Sequence, residues 1–171
     1  GRHMIFGKKD HLVGLDIGSR TIKLAEVLET KKGRVLQKFG MVDVPQGATI
    51  ADAYVQFQVD KTSSGDVDLY IHGEAADNAS TFTTDNNVTS RATTDASVVW
   101  EPASWTVVGE AGPNQRTADL AAVIQEIVDR LGWAAGNAVA LIFSGTGRRV
   151  AESYDGDPNG APLLYVEYLE V

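Results

Sequence analysis

The sequence predicts a mainly β protein, an antiparallel β-sandwich of jelly-roll-like build with one α-helix near residues 118–131. Three observations predict it. Residues 51–59 place Ala53, Val55, Phe57 and Val59 on one face and Asp52, Tyr54, Gln56 and Gln58 on the other, and residues 67–73 alternate likewise. Such a period of two marks a half-buried antiparallel strand. One segment has the 3.6-residue period of a helix, and turn signals recur about every ten residues, the rhythm of a chain of short strands.

In chain order, 12–16 and 21–28 read as strands joined by the turn Ile17-Gly18-Ser19-Arg20, with Ile22 and Leu24 on an apolar side. Lys31-Lys32-Gly33 is a hairpin turn into a strand at 34–39, which Pro45-Gln46-Gly47 ends. The strands at 51–59 and 67–73 follow. Residues 76–96, rich in Asn, Asp, Ser and Thr, predict a long polar loop, and 98–100 a short strand. In the helix, Leu120, Val123, Ile124, Ile127, Val128 and Leu131 form one stripe, Thr117 is a good N-cap and Gly132 a stop. Strands at 138–143, 148–154 and 163–169 close the chain, which shows no internal repeat.

The chain has 171 residues and a formal charge of −8, divided unequally. Residues 1–40 carry six lysines and three arginines against four acids; residues 41–171 carry Lys61 and five arginines against nineteen acids. Such asymmetry points to two segments of different origin or partner. The acidic main segment excludes non-specific nucleic-acid binding, which rests on Lys and Arg neutralising phosphates. With no cysteine there are no disulfides and no thiolate chemistry. No apolar run reaches the roughly 18–20 residues that span a bilayer, so no membrane insertion is expected. Gly1-Arg2-His3 ahead of Met4 reads as an expression remnant, and no signal peptide follows it.

Residues 12–27, Leu-Val-Gly-Leu-Asp-Ile-Gly-Ser-Arg-Thr-Ile-Lys-Leu-Ala-Glu-Val, with Phe6-Gly7-Lys8-Lys9 ahead of them, resemble the start of the PilM family. These are actin-like ATPases of type IV pilus assembly that sit at the cytoplasmic side of the inner membrane. The resemblance implies a first phosphate hairpin: the Gly18-Ser19 turn would offer N–H groups to phosphates, and Asp16 would orient Mg²⁺ through water. The family's nucleotide site also needs a second phosphate hairpin and an adenosine loop, and no second Asp-x-Gly hairpin followed by an alternating strand is present in this sequence. Asp16, Gly18 and Ser19 are therefore expected to be vestigial and not to bind ATP.

From about Val44 the chain is similar to a bacterial β-sandwich module of secreted and surface proteins, carbohydrate-binding-like in style. Pro45-Gln46-Gly47, Trp100-Glu101-Pro102-Ala103-Ser104-Trp105, Gly145-Thr146-Gly147-Arg148-Arg149 and Ala161-Pro162-Leu163-Leu164 carry that likeness. The whole then reads as a chimera: a PilM-like hairpin segment at 4–40 and the sandwich module at 44–171, folded as one domain. The first resemblance implies a cytoplasmic place and the second a secreted or surface one.

Three sites are candidates. Asp155, Asp157 and Asn159 set side-chain oxygens at alternate positions before Gly160, the opening of a calcium loop whose twelfth position is Val166 instead of Glu; the same residues suit a polar turn. Trp100, Trp105 and Trp133 make a sugar-stacking platform if exposed and core caps if buried. Glu101, Glu110, Glu126 and Glu152 are the carboxylates from which a hydrolytic pair would have to come. His72 has no second histidine near it in sequence, and no nucleophile or Walker motif is present. The expectation is a non-enzymatic binding or structural module with a polysaccharide, protein or surface partner; the alternative is a PilM-like ATP-binding pilus-assembly protein.

Overall fold

A computed structural model of the chain describes residues 44–81 and 88–169 in full, and the backbone of four earlier strands: β1 (His11–Gly18), β2 (Thr21–Thr30), β3 (Gly33–Phe39) and β4 (Met41–Val42). The protein is mainly β, with open antiparallel sheets and one α-helix among the described residues. The further elements are β5 (Thr49–Gln56), β6 (Val59–Lys61), β7 (Asp68–Glu74), β8 (Thr93–Trp100), α1 (Ala121–Val128), β9 (Asn137–Ala138), β10 (Leu141–Thr146), β11 (Val150–Ala151) and β12 (Leu163–Leu169). The larger sheet runs β3-β2-β1-β12-β5 and the next β10-β7-β8; β11-β6 and β4-β9 are short pairs. No helix is long and apolar enough to cross a membrane.

β5 and β12 follow the alternation of their sequences. Tyr165 lies opposite Tyr54 and Val166 opposite Ala53. Ala53, Val55, Leu164, Val166 and Tyr168 turn inward, all buried. On the other face the Tyr54 and Tyr165 rings stack with centroids 4.8 Å apart, a cross-strand aromatic pair, and the Arg116 guanidinium sits 4.7 Å from the Tyr54 ring centre.

The strand expected over 51–59 is cut short, because the chain leaves the sheet after Gln56. There the Phe57 N–H donates to the Gln115 carbonyl (2.9 Å) and the Val59 N–H to that of Glu110 (2.9 Å). Phe57 is thus buried, stacked on Trp100 at 5.3 Å and edge-on to Phe143 at 6.2 Å, with Trp105 at 6.0 Å.

The helix occupies only Ala121–Val128 of the predicted 118–131. Thr117 is not its N-cap. The Thr117 hydroxyl instead accepts the Val55 N–H (3.0 Å), and its own N–H donates to the Val55 carbonyl (3.0 Å). Asp119 serves the helix start, its Oδ1 accepting the Ala121 N–H (2.8 Å) and the Ala53 N–H (3.3 Å). At the far end the helix closes at Asp129, so Leu131 falls off the apolar stripe and is 96% exposed. Val123, Ile124, Ile127 and Val128 do face the core.

The polar loop expected over 76–96 also yields. β8 starts at Thr93, with Thr94, Ala96, Val98 and Trp100 on the inner face. Thr94 Oγ1 accepts the Gly73 N–H (3.0 Å) and donates to the Ala96 carbonyl (2.7 Å), while Glu126 takes the Asp95 and Ala96 N–H groups on its two carboxylate oxygens (2.9 and 2.8 Å). The strand expected over 148–154 shrinks to β11.

Phe57→Ala removes a 2%-exposed ring from the aromatic cluster and is expected to cost about 3–5 kcal/mol in urea unfolding. Leu131→Ser, at a position the sequence alone assigns to the core, is expected to change stability by less than about 0.5 kcal/mol.

Asp52 lies directly opposite Glu167. Partial burial, then Asp119 and Glu167, raise its pKa above the ordinary 3.8, against the Ala53 N–H and Arg116. The folded chain therefore holds this proton more tightly than the unfolded one. Stability from the group is complete below 3.8 and is lost as pH rises through the raised value. Asp52→Asn is expected to raise the melting temperature at pH 7 and to lose that advantage as pH falls toward 3.8; a constant difference across the titration would contradict it.

Candidate functional site

The functional candidate with geometry behind it is a cleft of about 550 Å³ at one end of the β10-β7-β8 sheet. One wall is the lead-in to β7, Gly65 to Asp68; the other is the exit from β8, Glu101 to Ser104; Thr146 and Arg149 complete it. The walls meet because Asp68 pairs with Thr146 and Leu69 with Trp100.

Two glycines let β10 close on that lead-in. Gly145 has φ +130° and Gly147 φ +90°, and a Cβ at either would collide with the carbonyl of Asp68 or Asp66. Only glycine combines such a backbone with so close an approach. The Gly145-Thr146-Gly147 stretch is thus a wall-forming element.

The alternation of β7 turns Leu69 and Ile71 toward the core and sets Asp68, Tyr70 and His72 on the opposite face. Tyr70 is 44% exposed and its cross-strand partner Val99 50%, with Ser144 opposite on the other side. An apolar ring therefore lies one alternation step from Asp68 in the cleft wall, on the same side of the sheet.

Arg149 spans the cleft. Its Nη2 donates to the carbonyls of Gly65 (2.9 Å) and Pro102 (2.7 Å), Nε to Ala103 (2.9 Å) and Nη1 to Arg148 (2.8 Å). Burial pulls its pKa below the ordinary arginine value, and Asp66 pulls the other way.

The three indoles proposed as a platform are not on a surface. Trp100, Trp105 and Trp133 are 7%, 1% and 3% exposed, and the Nε1–H groups of Trp105 and Trp133 donate to the carbonyls of Asn114 (3.3 Å) and Val44 (2.8 Å). That corrects the platform reading: all three rings are buried in the core, and Trp105 and Trp133 satisfy their polar edges there.

In the 153–160 loop the Asp157 carboxylate accepts the Asn159 N–H (3.0 Å), and the Ser153 carbonyl accepts those of Gly156 (3.1 Å) and Asp157 (2.9 Å). The backbone of this loop closes on itself as a polar turn, with Asp155 exposed. Asp16, Gly18 and Ser19 lie outside the residues whose side chains are described.

The four glutamates go to different places. Glu101 lines the cleft, Glu110 accepts from the buried Gln115 amide (3.3 Å), Glu126 holds the β8 edge, and Glu152 donates its N–H to the Gln58 carbonyl (2.9 Å). His72 is half-buried on the outer sheet face.

Asp66, Asp68 and Tyr70 carry no motif, and Arg149 enters the sequence analysis only within the 145–149 stretch of the module likeness. Tyr70 had a signal of its own in the sequence, an aromatic on the polar side of an alternating strand. No family model, curated protein or solved structure matches this chain.

If Asp155, Asp157 and Asn159 hold calcium, chelator lowers the melting temperature, several millimolar Ca²⁺ restores it, and Asp157→Ala abolishes both responses. Because Asp157 already accepts a loop N–H, the expected outcome is coincident melts with chelator and with Ca²⁺.

Proposed function

We propose that the chain is a non-enzymatic binding module that holds a saccharide in the cleft beside Tyr70. The observation that carries this reading is the half-exposed Tyr70 two residues along β7 from Asp68, which lines a cleft that also holds the carboxylates of Asp66 and Glu101 and the hydroxyls of Ser104 and Thr146. A pyranose has an apolar face suited to an aromatic ring and an equatorial rim of hydroxyls suited to such groups. The carbohydrate-binding-like resemblance of residues 44–171 supports the same reading, with the ring supplied by Tyr70 instead of an indole.

In the fold we propose, the two larger sheets pack as a sandwich, supported by the contacts of Phe57 with Trp100 and Phe143 between them. Residues 4–40 join that domain as a PilM-like segment that no longer binds ATP; the backbone pairing of Gly14 with Leu163 supports it.

Titration with neutral oligosaccharides (cellohexaose, xylohexaose, mannohexaose), followed by amide NMR, tests the reading. At least one is expected to shift the amides of 66–70 and 101–104. Tyr70→Ala is expected to weaken that ligand about tenfold, the order of one lost ring contact, with the fold intact because the ring is half exposed. The rival, a PilM-like ATP-binding protein, predicts a higher melting temperature in millimolar Mg²⁺–ATP. Silence to all three sugars together with an ATP response would replace the binding-module reading by that one.

A further inference from the structure

Among the described residues that line the cleft, the one cation is Arg149. A guanidinium has five N–H donors in a fixed plane. Four donor bonds of Arg149 already run to main-chain carbonyls, two on the 102–103 wall, one on the Gly65 wall and one to Arg148. Those walls are distant in sequence from Arg149 and from each other, and this side chain ties them. A lysine has no planar fork with which to reach the same carbonyls.

Recognition of a carboxylate or sulfate by arginine uses paired, parallel N–H donors. Arg149 has no such pair left. The other charged groups lining the cleft, Asp66, Asp68 and Glu101, are all acidic and form no ion pair among the described residues.

Resting on the saccharide reading above, we infer that Arg149 is a positioning residue that holds the cleft walls together, and that the cleft takes uncharged sugars and rejects those carrying carboxylate or sulfate. The carboxylates of Asp66, Asp68 and Glu101 set the sign of the field among the described residues, while Arg149 is committed to the protein's own backbone.

The test has two arms. In the first, the wild-type protein is titrated with hexagalacturonate beside the three neutral hexasaccharides. The best neutral sugar is expected to bind at least about tenfold tighter than the uronate at low salt, where repulsion between like charges is least screened. Asp68→Asn combined with Glu101→Gln is expected to narrow that gap. Equal or tighter binding of the uronate by the wild type overturns the selectivity.

In the second arm, amide hydrogen exchange is compared in the wild type, Arg149→Ala and Arg149→Lys. Both variants are expected to speed exchange at 64–68 and 101–104 while leaving β5 and β12 protected. Added ethylguanidinium, but not ethylammonium, is expected to slow the loops again in Arg149→Ala and restore its sugar affinity. Unchanged loop exchange, or loss of protection throughout the molecule, overturns the positioning role. If no hexasaccharide binds, the saccharide reading and the selectivity fall together, and the exchange arm still decides Arg149.

Discussion

The rest of the structure depends on how the free edge of β5 is satisfied. β5 stands at the end of its sheet, with β12 on one side and, among the described residues, no strand on the other. Along that side the N–H groups of Ile50, Ala53, Val55 and Phe57 go in turn to Gln125 Oε1, Asp119 Oδ1, Thr117 Oγ1 and the Gln115 carbonyl. Three side chains and one carbonyl replace a strand. Buried main-chain groups must find partners, so this edge dictates the path of 115–125 and the place where the helix can begin. Once α1 is fixed, its neighbours Gln125 and Glu126 reach opposite ways, the first to β5 and the second to β8. Two consecutive polar residues thereby tie both larger sheets to one short helix.

That arrangement explains what was legible in the sequence. The alternation over 51–59 and 67–73, the stripe from Leu120 to Val128 and the strand at 163–169 all register burial directly, and the structure follows them. The failures cluster where side chains replace backbone partners. Thr117 has the chemistry of a cap, but the edge of β5 claims its hydroxyl, so the helix starts later. Thr93 and Thr94 read as loop residues because their polarity masks a strand whose inner face is small as well as apolar. Leu131 fitted the periodicity, yet periodicity contains no information about where the last helical hydrogen bond falls.

The candidate site was less legible for a related reason. Its working parts are main-chain carbonyls, glycines at positive φ and charged residues from three separated stretches, 65–68, 101–104 and 145–149, none of which leaves a spacing pattern. The tryptophans drew attention as rare, large rings. In a protein of this size such rings are the most effective core fillers, and Phe57, Trp100, Trp105 and Phe143 form one aromatic cluster. The ring of the proposed site is the less conspicuous Tyr70, held outward by the same alternation that sends Ile71 inward.

The bond between Glu126 and β8 also bears on how the protein behaves among other proteins. An outermost strand normally offers a row of donors on which a second chain can build. Here two adjacent donors of β8 are occupied by a carboxylate that is fixed to the helix and carries a negative charge. An incoming strand would have to displace a charge-assisted bond at each of them and come to rest against that charge. Glu126 therefore closes this stretch of the β8 edge with a fixed negative charge, at the place where the pairing with β7 shifts register.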